Sequence, residues 1–149
     1  MRKSIVAAST TIAAALATLT LATGAAQAAP ARVTTPVLLG SLQLAKTDDT
    51  TGVTTTASLN CVRGINVYGQ VYVSGNGTVT NADAACQELN AVGGDFTKLA
   101  VHPTWMPLAG DAPVSVTATG NWGNTAVNYS QTFQNASYLA KTTGDVFQF

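Results

Sequence analysis

The fold class is decided by residues 114–133, VSVTATGNWGNTAVNYSQTF. In both halves of this stretch apolar side chains alternate with Ser, Thr and Asn, a period of two that is typical of antiparallel strands with one solvent-exposed face. Between the halves, residues 120–124 (GNWGN) are rich in turn formers. The stretch therefore predicts a β-hairpin whose apolar side chains face the core.

Two further runs favour strands. The upstream run has period two, and the side chains expected to share its inner face are Val53, Thr55, Ala57, Leu59 and Cys61. Residues 71–79 (VYVSGNGTV) predict a second hairpin, because Asn76-Gly77 accepts positive φ at both central positions of a two-residue turn.

Residues 81–92 (NADAACQELNAV) predict a helix instead. Thr80 or Asn81 can cap its first turn, and Gly93-Gly94 ends it. The apolar stripe on this helix would lie on the sheet, and Asp95 is expected to cap a short turn that follows. The predicted class is α+β, with strands dominant.

The first 28 residues are predicted to be a cleaved signal peptide, which leaves one domain over residues 29–149. Arg2 and Lys3 precede an uncharged Ala/Thr/Leu stretch, and Ala26-Gln27-Ala28 has the small-x-small pattern that signal peptidase cleaves. A membrane anchor is the alternative, but the stretch is too rich in Ser, Thr and Ala for a stable span. The domain is expected to be secreted, soluble and extracellular.

The two cysteines, Cys61 and Cys86, predict one disulfide, since an even count in an exported chain most simply means a bonded pair. A thiol nucleophile or a metal site is disfavoured, because the pair lacks CxxC spacing and His102 is the chain's one histidine.

Charge and motifs exclude several function classes. The seven basic and seven acidic side chains form no basic patch for nucleic acid and no cationic stretch for a membrane surface. No Gly-x-Ser-x-Gly motif occurs, and the acidic residues are too scattered to suggest a metal cage or an acid/base pair. We expect neither enzymatic activity nor a cofactor or metal.

Residues 105–114, WMPLAGDAPV, are unusual because they carry a single charge and two prolines. Proline fixes φ and pushes the preceding residue towards extended geometry, and Pro103 lies just upstream. The segment is therefore predicted to be stiff and extended. A stiff extended segment suits recognition by a protein that binds peptides as strands, and it also suits an ordinary loop.

The ordered landmarks of the chain resemble the Streptomyces subtilisin inhibitor family of secreted serine-protease inhibitors. The segments that carry the resemblance are 58–61 (SLNC), 84–89 (AACQEL), 93–95 (GGD), 113–117 (PVSVT), 120–122 (GNW), 133–135 (FQN) and 146–149 (VFQF). The resemblance implies a five-stranded antiparallel sheet with two helices packed on one face, and a homodimer that pairs through the sheet.

The resemblance also implies a reactive loop between Asp95 and Pro113 that inserts into a subtilisin-like protease as a substrate does. The reactive bond would be Ala109-Gly110. The protease subsites would contact Met106, Pro107 and Leu108, and Asn135 would support the loop from below by hydrogen bonds.

The chain departs from the family in two places. Pro107 and Ser137 stand where the family carries a second disulfide that clamps the loop, and the segment between Cys61 and Cys86 is longer, an insert expected to extend the sheet or an edge. Two hypotheses therefore stay open. The protein is a secreted protease inhibitor, or it is an inhibitor-like scaffold that no longer inhibits and binds another secreted partner.

Overall fold

The computed structural model describes residues 34–149, and the predicted signal peptide lies outside the described residues. Five strands and two helices follow one another as β1 (Thr34–Asp48), β2 (Val53–Ile65), β3 (Val71–Gly77), α1 (Ala82–Ala91), β4 (Val114–Trp122), β5 (Thr125–Phe133) and α2 (Ala136–Thr143). One 3-10 turn, Phe96–Lys98, lies between α1 and β4.

The five strands form one antiparallel sheet in the order β3-β2-β1-β4-β5. The long strand β1 is central and pairs with β2 on one side and β4 on the other. This arrangement confirms the predicted α+β class with a five-stranded antiparallel sheet.

The β4–β5 hairpin lies where its alternating pattern predicted it. Trp122 pairs with Thr125 across a two-residue connection. Gly123, the first residue of that connection, has φ +57°, a value that glycine adopts without a steric penalty. The buried side chains of β4 and β5 are those of the predicted inner face: Val114, Val116, Ala118, Tyr129 and Phe133.

The hairpin predicted at Asn76-Gly77 is wrong. Both residues lie within β3, where Asn76 pairs with Asn60 of β2, and the β2–β3 connection is the turn Asn66–Gln70. Gly77 has φ +142°, and a Cβ there would collide with the Ser58 carbonyl. Glycine is therefore needed for close approach to β2 and not for a turn. The segment between the cysteines contains the β2–β3 turn and β3, and β3 is an edge strand of the sheet.

The predicted helix is confirmed as α1. The Asn81 side chain accepts a hydrogen bond from the Ala84 amide at the first turn, and Gly93 follows the helix with φ +65°. Cys86 of α1 forms the predicted disulfide with Cys61 of β2, with the two Cα atoms 5.4 Å apart. The bond ties the helix to the sheet.

The core lies between the helices and one face of the sheet. Its fully buried members from all layers include Leu42, Leu44, Leu59, Leu89, Leu139, Val146 and Phe147. The residue patterns considered above did not locate β1 or α2, although the resemblance implied two helices. α2 matters most for the site, because it lies under the segment that the sequence marked as stiff.

Candidate functional site

The chain from Leu99 to Pro113 is a long loop without helix or strand, between the 3-10 turn and β4. Its middle is presented to solvent: Met106 is 91% exposed, Leu108 is 75% exposed, and Ala109 and Gly110 are also exposed. Large apolar side chains at that exposure gain nothing from the core, which makes the loop a candidate interaction surface.

Asn135 lies directly beneath this exposed segment and is only 8% exposed. Its Nδ2 donates hydrogen bonds to the carbonyl oxygens of Leu108, at 3.1 Å, and Gly110, at 2.7 Å. Its Oδ1 accepts from the amides of Ser137 and Tyr138 and so caps the start of α2. One buried side chain therefore joins the loop to a helix N-terminus.

Ser137, in the first turn of α2, provides a second support. Its Oγ accepts a hydrogen bond from the Leu108 amide at 2.9 Å. The N–H and the C=O of Leu108 are thus both bonded to side chains at the beginning of α2.

The loop runs antiparallel to α2 and forms backbone hydrogen bonds near both ends of the helix. Near the start of the loop, the amides of Val101 and His102 donate to the carbonyls of Thr142 and Lys141, at the end of the helix. Near the end of the loop, the Ala112 amide donates to the Gln134 carbonyl, just before the helix. The loop is consequently bonded to helix α2 and the residues just before it near its beginning, in its middle and near its end.

Ala109 lies between the two residues that Asn135 holds. Within residues 34–149, no hydrogen bond involves the backbone of Ala109. The polar backbone groups of Leu108 and the carbonyl of Gly110 bind the scaffold, whereas the amide and carbonyl of Ala109 have no partner within residues 34–149. Alternation of this kind is what an extended chain gives, because successive residues point to opposite sides.

Gly110 has φ +143°, which favours glycine, and no atom lies within 4 Å of the position a Cβ would take. The space beside Gly110 is therefore open on the outer side of the loop. The charge nearest in sequence is that of the exposed Asp111.

His102 and Trp105 stack face to face at the start of the loop, with ring centroids 3.6 Å apart and planes 4° apart. His102 is half-buried. The stack stiffens the chain immediately before Met106.

Glu88 of α1 fixes the far end of α2. Its Oε2 accepts a hydrogen bond from the Asp145 amide at 2.9 Å, just after α2. Burial raises the pKa of Glu88 to about 7, and the nearby Asp145 carboxylate adds to the rise, against the lowering effect of the amide hydrogen bond. The helix that holds the loop is thereby tied to α1 and, through Cys86, to the sheet.

Two kinds of feature are absent from the described part of the chain. Among residues 34–149 no cluster of His, Cys, Asp and Glu is arranged to hold a metal ion. No helix in that range is long and apolar enough to cross a membrane.

Residues 41–135 match the family model described as subtilisin inhibitor-like, which is more than half of the chain. The chain belongs to the subtilisin inhibitor-like family. The matched range contains the four strands β2 to β5, α1, the loop and Asn135, and it ends just before α2.

Relatives of this subtilisin inhibitor-like chain come from Streptomyces. Subtilisin inhibitor-like protein 4 of Streptomyces lavendulae is 43% identical over 75 residues, which is 50% of this chain and 64% of the relative. Subtilisin inhibitor-like protein 2 of Streptomyces rochei is 40% identical over 73 residues, 49% of this chain and 65% of the relative. The chain therefore spans less than two thirds of the length of these two relatives.

A solved structure shares the fold of this family member. Streptomyces caespitosus sermetstatin, in its crystal structure in complex with Bacillus licheniformis subtilisin, superposes with a TM-score of 0.54. The match has 23% sequence identity and covers 74% of this chain and 98% of sermetstatin. At that identity the likeness establishes the fold.

The structure brings the predicted site residues together, with Met106, Pro107, Leu108, Ala109 and Gly110 consecutive on the loop and Asn135 beneath them. Their roles stay predictions. The residue patterns missed Ser137 as a hydrogen-bond partner and missed the carbonyls of Lys141 and Thr142. A side-chain hydroxyl leaves no pattern of its own, but Asn135 followed by helix-forming residues was a capping signal that could have located α2.

Proposed function

We propose that the protein is a secreted inhibitor of subtilisin-like serine proteases, which inserts the loop around Ala109-Gly110 into the protease as a substrate would. The observation that carries the proposal is the pair of hydrogen bonds from Asn135 to the carbonyls of Leu108 and Gly110, on either side of Ala109. Family membership supports the same function, since relatives are named as subtilisin and protease inhibitors.

The mechanism follows from the loop's restraints. Serine proteases bind an extended peptide by main-chain pairing and side-chain pockets. A loop already held in place loses little conformational entropy on docking, which favours tight binding. If the Ala109-Gly110 bond is cut, Asn135 still holds the chain on both sides of the cut, through the carbonyls of Leu108 and Gly110, so resynthesis of the bond competes with release.

The side chains of the loop support a particular class of target protease. Ala109 would enter the primary pocket, and Met106 and Leu108, both strongly exposed, would enter apolar subsites. A small uncharged residue suits proteases of broad or elastase-like preference and lacks the cation that a trypsin-like pocket requires.

Titration of subtilisin with the purified domain 29–149 tests the proposal. We expect activity to fall linearly to near zero at about one inhibitor per protease, and intact-mass analysis to find a long-lived complex. Undiminished protease activity at a large molar excess contradicts the proposal.

A non-inhibitory scaffold is the second candidate, favoured by the absence of a covalent clamp on the loop. Within residues 34–149 the disulfide present joins Cys61 to Cys86, away from the loop, and Pro107 and Ser137 occupy the positions that the resemblance assigns to a second one. Rapid and complete cleavage at Ala109-Gly110 without inhibition favours this candidate.

Secretion and homodimer formation belong to the same proposal. The outer face of the sheet carries no charged side chain at the four positions of β1 that point outwards, nor at the residues paired with them on β2 and β4 or at the next residues across on β5. From β1 and β4 this face presents Ser41, Gln43, Ala45, Thr47, Ser115, Thr117, Thr119 and Asn121. An uncharged face loses less solvation free energy when covered than a charged one, which supports pairing of two sheets. Sedimentation velocity of wild type and Thr117→Lys tests it, with a dimer expected for wild type and a monomer for the variant. A wild-type monomer at high micromolar concentration contradicts it.

A further inference from the structure

We propose that Ser137 is a positioning residue that holds the acyl side of the Ala109-Gly110 bond, in place of a covalent clamp; this inference deepens the proposed function and rests on it. The geometric basis is the hydrogen bond from the Leu108 amide to Ser137 Oγ, at 2.9 Å. Leu108 immediately precedes Ala109, so a bond to Leu108 restrains the residue that would enter the primary pocket.

The hydroxyl of Ser137 is itself held in place. The Ser137 amide donates to Asn135 Oδ1 at 3.0 Å, which fixes the backbone from which the side chain projects. A serine in the first helical turn commonly bonds to free amides of its own helix. Here Asn135 already occupies the amides of Ser137 and Tyr138, and the Ser137 hydroxyl faces the loop instead.

Asn135 and Ser137 restrain different parts of the loop. Asn135 bridges the reactive bond, since it binds the carbonyls of Leu108 and Gly110. Ser137 binds the acyl side alone, through Leu108. With the Asn135 amide, Ser137 occupies both polar backbone groups of Leu108, so rotation of that residue would have to break two hydrogen bonds together.

The consequence concerns what happens when a protease cuts the loop. The protease nucleophile attacks the Ala109 carbonyl carbon, breaks the Ala109-Gly110 bond, and leaves an acyl-enzyme on Ala109 and a new amine on Gly110. That amine can attack the acyl carbon, which re-forms the peptide bond and releases the nucleophile, or water can attack it instead and leave a free carboxylate on Ala109. Resynthesis therefore requires the acylated Ala109 end to stay near the new amine. Ser137 favours this by preventing the Leu108-Ala109 end from swinging away, a restraint that a loop disulfide would otherwise give.

The test compares wild type with Ser137→Ala, which removes the hydroxyl, and Ser137→Thr, which keeps it. Tyr138→Phe is the matched control, because it removes a hydroxyl from the next residue of the same helix, one that forms no hydrogen bond within the described residues. The first measurement is amide hydrogen exchange of Leu108 in the free protein, which needs no protease. The second is the rate of loop cleavage by subtilisin, read by intact mass.

We expect Ser137→Ala to speed Leu108 exchange about tenfold and loop cleavage about five- to tenfold, the effect of losing one hydrogen bond. Ser137→Thr and Tyr138→Phe should stay within about twofold of wild type in both measurements. Unchanged Leu108 exchange in Ser137→Ala overturns the proposal, and so does faster exchange with unchanged cleavage. A wild-type protein that leaves subtilisin fully active refutes the proposed function separately, because the exchange comparison still shows whether Ser137 holds Leu108.

Discussion

Substitution of Asn135 can separate support of the loop from stability of the fold. The side chain has two functions: its Nδ2 donates to the Leu108 and Gly110 carbonyls, and its Oδ1 caps α2. Asn135→Asp keeps the capping oxygen and replaces the donor by a carboxylate oxygen. Because aspartate is as good an N-cap as asparagine and its charge favours a helix N-terminus, the helix itself should be little affected.

The expected loss can be worked from these contacts. Two hydrogen bonds at about 1 kcal/mol each amount to about 2 kcal/mol, or roughly a 30-fold weaker inhibition constant. The new carboxylate would also repel the carbonyl oxygens at these close distances, so a roughly 30-fold weakening of inhibition is the minimum expected. Asn135→Ala removes the cap as well and should lower the free energy of unfolding by about a further 1 kcal/mol.

The assay measures inhibition of subtilisin and urea unfolding side by side for wild type, Asn135→Asp and Asn135→Ala. The expected pattern is that the Asp variant loses about 2 kcal/mol of unfolding free energy and inhibits at least 30-fold more weakly, whereas the Ala variant loses about 1 kcal/mol more of unfolding free energy. An Asp variant that inhibits as tightly as wild type would show that the amide donors do not support the loop. Equal loss of stability in both variants would show that Asn135 acts mainly on the fold.

Three further predictions test other parts of the molecule. Ala109→Lys should confer inhibition of trypsin, because a lysine there supplies the cation that an acidic primary pocket binds; no gain would place the reactive bond elsewhere. Replacing Cys61 and Cys86 together by serine should lower the free energy of unfolding by about 3.5 kcal/mol, the entropy of a closed loop of 25 residues; a loss below about 1 kcal/mol contradicts this. Because burial raises the pKa of Glu88 from 4.5 to about 7, the folded state binds its proton more tightly than the unfolded state. Stability from Glu88 is thus greatest below pH 4.5 and lost as the pH rises through 7, by about 1–2 kcal/mol after allowance for its partial exposure. Glu88→Gln should remove this part of the pH dependence of urea unfolding, and a parallel profile for both proteins contradicts it.

Local sequence patterns predicted the elements in which buried and exposed side chains alternate with the period of that element. The β4–β5 hairpin alternates strictly, and α1 has a cap, an apolar stripe and a stop signal within one short segment. The Asn76-Gly77 prediction failed because the same pair that suits a turn also permits the close approach of β3 to β2 at Ser58. Sequence preference does not distinguish these two uses of glycine.

Local sequence patterns predicted less of the candidate site than of the fold. Residues 136–143 (ASYLAKTT) end in two threonines, which have low helix propensity, so α2 depends on its Asn135 cap and on packing of Leu139. The role of Asn135 was predicted through family resemblance. The Ser137 hydrogen bond is a contact between residues 29 positions apart, and only the folded arrangement brings them together.

Helix α2 gives hydrogen-bond partners to a loop that has neither secondary structure nor a disulfide of its own. The start of α2 holds the middle of the loop through Asn135 and Ser137, and its end holds the loop's beginning through the Lys141 carbonyl. Beyond that end, Glu88 connects the chain to α1, which Cys86 bonds to the central part of the sheet. Displacing Ala109 would therefore strain contacts that reach the core. The scaffold can restrain this segment while leaving the amide and carbonyl of Ala109 free, because its bonds fall on the neighbouring residues.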